Sequence, residues 1–160
     1  MPSACAYYLA MCNAYRPPEA AHVHRVFGLD TDGKSWPASV HPRTQGPFIR
    51  RSKDDPGFSL ELAVGQWALI PPWAKEPKLK FSTNTARSEE LADKASFKDV
   101  WKRGQRCIIP AVDFDEPNWE TGKNQWWRFR RADGDPWALA GLWNTWVDRA
   151  SGEVHEGDTL

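Results

Sequence analysis

Residues 126–160 have the sequence WWRFRRADGDPWALAGLWNTWVDRASGEVHEGDTL, and this segment carries most of the evidence for the fold class. Its first segment, Trp126–Arg131, alternates between aromatic and basic side chains. Alternation with a period of two predicts a β-strand, with Trp127 and Phe129 on one face and two arginines on the other. We expect Trp126 and Trp127 to pack in a core or on a sheet face rather than to stack on nucleobases, since burial of a large aromatic side chain stabilises a fold.

The same stretch predicts two further strands joined by turns. Asp133-Gly134 is a favoured hairpin turn and leads into a predicted strand over Trp137–Val147. A second turn over Asp148–Gly152 precedes a returning strand over Val154–Leu160. Successive strands joined by short turns pair in an antiparallel sheet, so we predict that sheets of this kind dominate the fold.

The earlier part of the chain adds shorter elements. Apolar runs that stop at prolines predict strands over Val64–Ile70 and Arg106–Ile109. Ser88, followed by two glutamates, is predicted to cap a helix, and a second helix is predicted to begin at Ser96 and to stop at Gly104. The sequence therefore predicts one α+β domain, mostly antiparallel sheet with a few short helices.

Composition excludes several classes of protein. A length of 160 residues suits one domain, and 41% hydrophobic with 26% charged residues is globular composition. No apolar run approaches the roughly 18 residues of a membrane span, and residues 1–10 lack the basic residues of a secretory signal. Three cysteines without a CxxC pair favour a reduced chain over a disulfide framework or a zinc knuckle. We therefore expect a cytoplasmic protein with no membrane partner, metal or cofactor.

The net charge of zero conceals a segregation of charge along the chain. Residues 43–106 contain 13 basic and 8 acidic side chains, a net of +5, whereas residues 107–160 contain 5 and 10, a net of −5. The basic segment could face phosphates. Alternatively, the two segments neutralise each other in the folded chain.

Cys12 follows Met11, and this order has a particular chemistry if Met11 is the start and is removed. An α-amino group has a pKa of about 7.7–8.0, so part of it is nucleophilic at neutral pH. The thiol of an N-terminal cysteine can trap the imine that this amine forms with an aldehyde, closing a thiazolidine ring. On its own, however, a cysteine near an N-terminus is more often an ordinary buried residue than a nucleophile.

Four motifs in order carry a resemblance to a known family. They are Trp67-Ala-Leu-Ile-Pro-Pro-Trp73, Asn84-Thr-Ala-Arg-Ser-Glu89, Arg106-Cys-Ile-Ile-Pro-Ala-Val-Asp-Phe-Asp-Glu116 and Gly134-Asp-Pro-Trp-Ala-Leu-Ala-Gly-Leu-Trp143. Together with the Met-Cys pair, this pattern resembles the SOS response-associated peptidase family, the abasic-site processing proteins. The resemblance covers residues 11–160 and implies a barrel-like core.

The resemblance also implies roles for individual residues. Cys12 matches the family's cross-linking nucleophile, Glu116 its general acid/base, and Asn84 is the candidate for its catalytic asparagine. The residues predicted to contact DNA are Arg87, on a phosphate, Trp73, as an aromatic wedge, and Asn13, Arg50 and Thr85. Cys107, the second cysteine in the motifs, is expected to be a structural core residue.

The chain departs from the family pattern at three places. Thr85 stands where the family has asparagine, so either Asn84 takes that role through a local bulge or the site has changed. The family's histidine would lie beyond Leu160, and ten residues precede Met11. We therefore expect residues 1–10 to be an extension, either a propeptide or a misassigned start, and residues 11–160 to form a family domain that is incomplete at its C-terminus.

These observations predict a DNA-damage protein of the SOS response. It would sense abasic sites in single-stranded DNA, cross-link to them covalently through Cys12 as a thiazolidine, and expose that cysteine by self-cleavage, acting as a monomer. The alternative is a catalytically decayed module that binds single strands non-covalently. A conventional cysteine peptidase would need a histidine partner for Cys12, and the sequence supplies no convincing one.

Overall fold

Five strands close into a barrel, and three others form a small sheet beside it. The computed structural model describes residues 12–160. The expected extension over residues 1–10 lies outside this range, as does Met11. The strands are β1 Ala14–Arg16, β2 Gln45–Arg51, β3 Leu60–Trp67, β4 Arg106–Ala111, β5 Asp113–Asn118, β6 Gln125–Arg130, β7 Trp137–Val147 and β8 Val154–Thr159.

The helices are short. Helix α1 spans Ala20–Phe27, α2 spans Lys98–Lys102, and a 3₁₀ turn covers Ser88–Glu90. Gly104 follows α2 with a φ of +70°, a left-handed conformation that glycine adopts without strain, and it ends the helix as predicted. No helix in the part of the chain that the structure describes is long and apolar enough to cross a membrane.

The barrel has the strand order β2-β3-β8-β7-β4, and pairing of β4 with β2 closes it. All neighbours are antiparallel except β3 and β8. Large apolar side chains fill the interior, with Phe48, Trp67 and Ile109 completely buried. Gly141 in β7 lets β8 approach closely, because a Cβ there would lie 2.6 Å from the carbonyl oxygen of Thr159.

The small sheet has the order β1-β5-β6. Its two faces differ, because side chains alternate along each strand. One face carries an ion-pair ladder in which Arg16 of β1 binds Asp113 and Asp115 of β5, and these bind Arg130 and Arg128 of β6. The ladder ties β1 to β5, with Ala14 opposite Asp115. It thereby fixes the chain segment that follows Cys12.

The α+β, mostly antiparallel and barrel-like fold predicted from the sequence is confirmed. Strand β7 has the predicted bounds, and β8 returns antiparallel to it. The predicted hairpin at Asp133-Gly134 is wrong, because β6 pairs with β5 whereas β7 pairs with β4 and β8. Ser88 is not a helix cap either, since its hydroxyl donates to the Glu89 carboxylate at 3.0 Å.

Candidate active site and nucleic-acid interface

Cys12 lies just before β1, against the core of the barrel. Its side chain is buried, and it packs in one apolar cluster with Tyr15 and Trp67. The thiol donates a weak hydrogen bond to the carbonyl oxygen of Ala14 at 3.5 Å. The resemblance predicted a nucleophile at this position, and the fold gives it a fixed, sheltered place.

Burial first, and then the neighbouring charge of Glu116, raise the pKa of the Cys12 thiol from 9.0 to about 12. Hydrogen bonding to the backbone of Ala14 and Asp115 acts in the opposite direction. Because of this raised pKa, the thiol is protonated at neutral pH, whereas the thiolate is the reactive form of cysteine. A reaction of the Cys12 sulfur therefore needs a nearby base that removes its proton, or a change in the charge of the Cys12 nitrogen.

Glu116 is the ionisable group placed to act there. It lies in β5, half-buried, next to Asp115, which faces Ala14 across the β1–β5 pair. Burial raises the pKa of the Glu116 carboxyl, and a hydrogen bond from the backbone N–H of Cys12 lowers it in part. A carboxyl group with a raised pKa at the nitrogen of Cys12 suits proton transfer to and from that atom.

Asn84, in the loop before the 3₁₀ turn, also contacts the backbone of Cys12. Its side-chain amide donates to the carbonyl oxygen of Cys12 at 3.4 Å, and its side chain is buried. Leu160 donates from its backbone to the carbonyl oxygen of Asn84 at 3.0 Å, and the hydroxyl of Ser82 bonds to the Asn84 side-chain oxygen. Thr85 is half-buried. The contact with Cys12 is therefore made by Asn84, and the structure brings Cys12, Glu116 and Asn84 together.

Several of the residues predicted to contact DNA have exposed side chains. Trp73 is 51% exposed, and its ring stacks on that of Phe81 with centroids 6.0 Å apart. The indole N–H of Trp73 donates to the carbonyl oxygen of Ala95 at 3.0 Å, which fixes the ring. Arg87 and Asn13 are also exposed. Phe81 was not predicted from the sequence, where no motif marked it.

Arg50 departs from its predicted role. It is only 6% exposed, and its guanidinium donates to Glu61 and to Glu156 at 2.7 Å each. The same group lies over the ring of Trp143, 4.4 Å from its centroid. Both the charge and the planar face of Arg50 are thus occupied within the protein, and we leave it out of the DNA interface.

A family model described as "SOS response associated peptidase (SRAP)" matches residues 11–159. The chain belongs to the SRAP family. The matched range begins one residue before Cys12 and contains every motif that carried the resemblance.

Curated relatives in the SRAP family match part of the chain. An abasic site processing protein, YoqW, from Bacillus subtilis strain 168 is 38% identical over 91 residues, covering 56% of this chain and 40% of YoqW. The abasic site processing protein HMCES of Xenopus tropicalis is 30% identical over 105 residues, covering 60% of this chain and 31% of HMCES. Each match therefore spans less than half of the relative's length.

Solved structures share the SRAP fold. A crystal structure of a protein from Bordetella bronchiseptica superposes with a TM-score of 0.80 at 36% identity, covering 93% of this chain and 71% of that one. A second, from Bacteroides thetaiotaomicron, superposes with a TM-score of 0.75 at 22% identity, covering 93% and 67%. The second likeness concerns the fold alone.

The tryptophans of the β5–β6 hairpin lie on the faces of a sheet, one of the two predicted places, and not in a core. Trp126 and Trp127 are 51% and 50% exposed, so neither is buried in a core. Their alternation was predicted correctly, but β6 is an edge strand with both faces in solvent, which the sequence pattern did not indicate. Cys107, in contrast, is buried in the barrel core as expected.

Proposed function

We propose that this chain recognises abasic sites in single-stranded DNA and cross-links to them covalently through Cys12. The observation that carries the proposal is the convergence of two side chains on the backbone of Cys12. Glu116 accepts from the backbone nitrogen of Cys12, Asn84 donates to its carbonyl oxygen, and the thiol lies on the same residue. Relatives of this chain are named abasic site processing proteins.

The chemistry requires Cys12 at the N-terminus of the reactive form. Cleavage of the Met11–Cys12 bond, by the chain itself or by removal of an initiating Met11, would free the α-amine. That amine would occupy the position of the present N–H, within reach of the Glu116 carboxylate. Glu116 accepting from this nitrogen in the intact chain supports its role as proton acceptor in the processed one.

The proposed reaction then has two bond-forming steps. The amine of Cys12 attacks the aldehyde carbon of the ring-opened deoxyribose, and loss of one water leaves an imine. The S–H of Cys12 adds across the C=N bond, with sulfur joining carbon and the proton reaching nitrogen through Glu116. The product is a thiazolidine, and one water is released overall. The hydrogen bond from Asn84 would hold the carbonyl group of Cys12 in place while the nitrogen and sulfur of Cys12 react.

Single-strand binding is supported by the segment between β3 and the 3₁₀ turn. The residues at positions 71–87 present exposed basic side chains, Lys75, Lys78, Lys80 and Arg87, beside the exposed Trp73–Phe81 stack. Basic groups that follow the backbone and aromatic rings that stack on bases suit single-stranded nucleic acid. An abasic site offers no base to recognise, so the aldehyde itself would give the specificity. Cys12 and Cys107 are buried free thiols, as suits a reducing compartment such as the cytoplasm.

The test is a denaturing gel with abasic and intact oligonucleotides. A chain that begins at Met11, with removal of that methionine verified by mass, should give a heat-stable band with the abasic strand alone. Cys12→Ser should abolish the band while leaving single-strand binding nearly intact, because the hydroxyl cannot close a stable ring. Cys107→Ala is the matched control, a buried cysteine outside the site, and should keep the band. An equal yield from Cys12→Ser would remove Cys12 from the mechanism.

A second candidate function is non-covalent binding of single strands. The observation that favours it is the protonated, buried thiol of Cys12, with a pKa of about 12. In that case the same gel shows no covalent band for any form. Salt-sensitive retention of abasic and intact strands would be equal.

A further inference from the structure

We propose that an aromatic groove on the β5–β6 hairpin binds a nucleobase that flanks the abasic site. The inference rests on the proposed function and adds a subsite to it. The groove has a volume of about 520 Å³, and its lining includes Glu116, Asn118, Trp119, Glu120, Trp127 and Phe129. We call this surface the hairpin groove.

The walls of the hairpin groove are aromatic side chains that face solvent. Trp119, Trp127 and Phe129 are 47%, 50% and 40% exposed. Trp127 and Phe129 lie next to each other, with ring centroids 6.4 Å apart, and Phe129 stacks at 5.4 Å on Phe114, its cross-strand partner in β5. Phe114 packs against the barrel core, so this row of rings is anchored at one end and offers a stacking surface.

The hairpin groove is continuous with the candidate active site through Glu116. This residue lines the groove, and its carboxylate also accepts from the backbone nitrogen of Cys12. Across the β5–β6 pair, Glu116 is directly opposite Trp127, so the two side chains share one face of the sheet. A nucleotide next to the one that reacts at Cys12 would therefore reach the groove without leaving the surface.

Charge decides which part of a nucleotide fits. The two glutamates of the groove, Glu116 and Glu120, disfavour a phosphate, whereas a neutral base can stack on an exposed ring. Asn118 and Glu120 lie at the same end and bond to each other, the Glu120 N–H donating to the Asn118 side-chain oxygen at 2.8 Å. Carboxylate and amide oxygens there can accept from the exocyclic amino group of adenine or cytosine. The occupant is therefore a base, with its phosphates outside the groove.

Strand β6 supplies a matched control. Trp126 is as exposed as Trp127 but faces Pro117 across the pair and lies on the other face of the sheet. The two tryptophans are thus adjacent in sequence, equal in size and exposure, and different only in the surface they belong to. Removing either should leave the fold intact, since exposed side chains contribute little to stability.

The experiment measures non-covalent affinity by fluorescence anisotropy. The probe is a single strand with a tetrahydrofuran residue, a stable abasic analogue that forms no aldehyde. A second set of strands also lacks the base on one side or the other of that residue. We expect Trp127→Ala to weaken binding to the first strand by about 5- to 150-fold, the range for loss of one stacked base. Trp127→Phe should retain most of the affinity, and Trp126→Ala should stay within about twofold of the parent.

Strands lacking one flanking base make the test specific. One of these strands lacks the base that would bind in the groove. On that strand the parent should bind as weakly as Trp127→Ala binds the first strand, and Trp127→Ala should lose no further affinity. Equal losses for Trp126→Ala and Trp127→Ala, or the same loss on every strand, would overturn the proposal. So would a shift of Trp127→Ala to a smaller species in size-exclusion chromatography at unchanged affinity, which would make the face a contact between copies of this chain.

Failure of the groove and failure of the proposed function give different results. If the parent cross-links to an abasic strand and Trp127→Ala matches its non-covalent affinity, the groove alone is refuted. If the parent gives no cross-link but Trp127→Ala shows the base-dependent loss, the covalent function fails and the groove stands.

Discussion

Replacing Asp158 by Asn tests the most unusual group in the barrel. Asp158 lies in β8, completely buried, with Trp67 of β3 as one of its cross-strand partners. Within residues 12–160 neither carboxyl oxygen has a hydrogen-bond partner, and the hydroxyl of nearby Tyr15 has none either. Burial raises the pKa of the Asp158 carboxyl well above its usual range. Burial, and then the negative charge of an ionised Asp158, raise the pKa of Tyr15 and of Cys107.

The direction of the pH effect follows from the raised pKa. The folded protein keeps a proton on Asp158, whereas the unfolded chain releases it near the ordinary pKa of 3.8. Between the two pKa values folding takes up a proton, so the free energy of unfolding falls as the pH rises, by about 1.4 kcal/mol per unit. Below the unfolded-state pKa this cost is absent, and above the folded-state pKa it is constant. A carboxamide has nearly the same size and does not titrate.

The assay is urea unfolding followed by tryptophan fluorescence at several pH values between about 5 and 7. We expect Asp158→Asn to gain stability relative to the parent by about 1.4 kcal/mol for each pH unit inside that window. Asp93→Asn, an exposed aspartate, is the control and should follow the parent. Parallel pH profiles for the parent and Asp158→Asn would contradict this expectation, because they would show that Asp158 gains or loses no proton on unfolding.

Three further predictions concern charged groups around the site. Arg87→Ala should weaken binding to single strands of any sequence and reduce the slope of log K against log salt by about 0.7, one phosphate contact, with Arg87→Lys restoring it in part. Arg50→Ala should leave that slope unchanged but lower the free energy of unfolding, because Glu61 and Glu156 lose their shared partner; an unaltered melting curve would contradict this. Glu116→Gln should slow cross-linking by about 10²–10⁴-fold and remove the limb of the pH–rate profile that reports the Glu116 carboxyl. In the parent this limb should lie above the usual pH range of a glutamate, because burial raises the pKa of Glu116. A parent and variant with the same profile would exclude Glu116 as the proton carrier.

Local patterns determined much of the fold in advance. Strand β7 and its return through β8 were predictable because alternation and turn residues act over a few positions. The strands β1, β2 and β5 were not predicted, and their charged or proline-containing sequences explain this. Strand β5, for example, holds two aspartates that are stable there only because Arg16, Arg128 and Arg130 pair with them across the sheet.

In the candidate site, too, some features were predictable from the sequence and others were not. Motifs in a fixed order were enough to identify the family and, through it, the candidate residues Cys12 and Glu116. Which of two neighbours, Asn84 or Thr85, contacts Cys12 became clear from the folded chain, because a one-residue shift in a loop depends on what anchors the loop. Tertiary contacts likewise decided that Arg50 is an internal ion-pair partner and that Trp127 faces solvent. The residue type gives the charge and the aromatic character of a side chain, but whether that side chain is buried or exposed depends on residues far away in the chain.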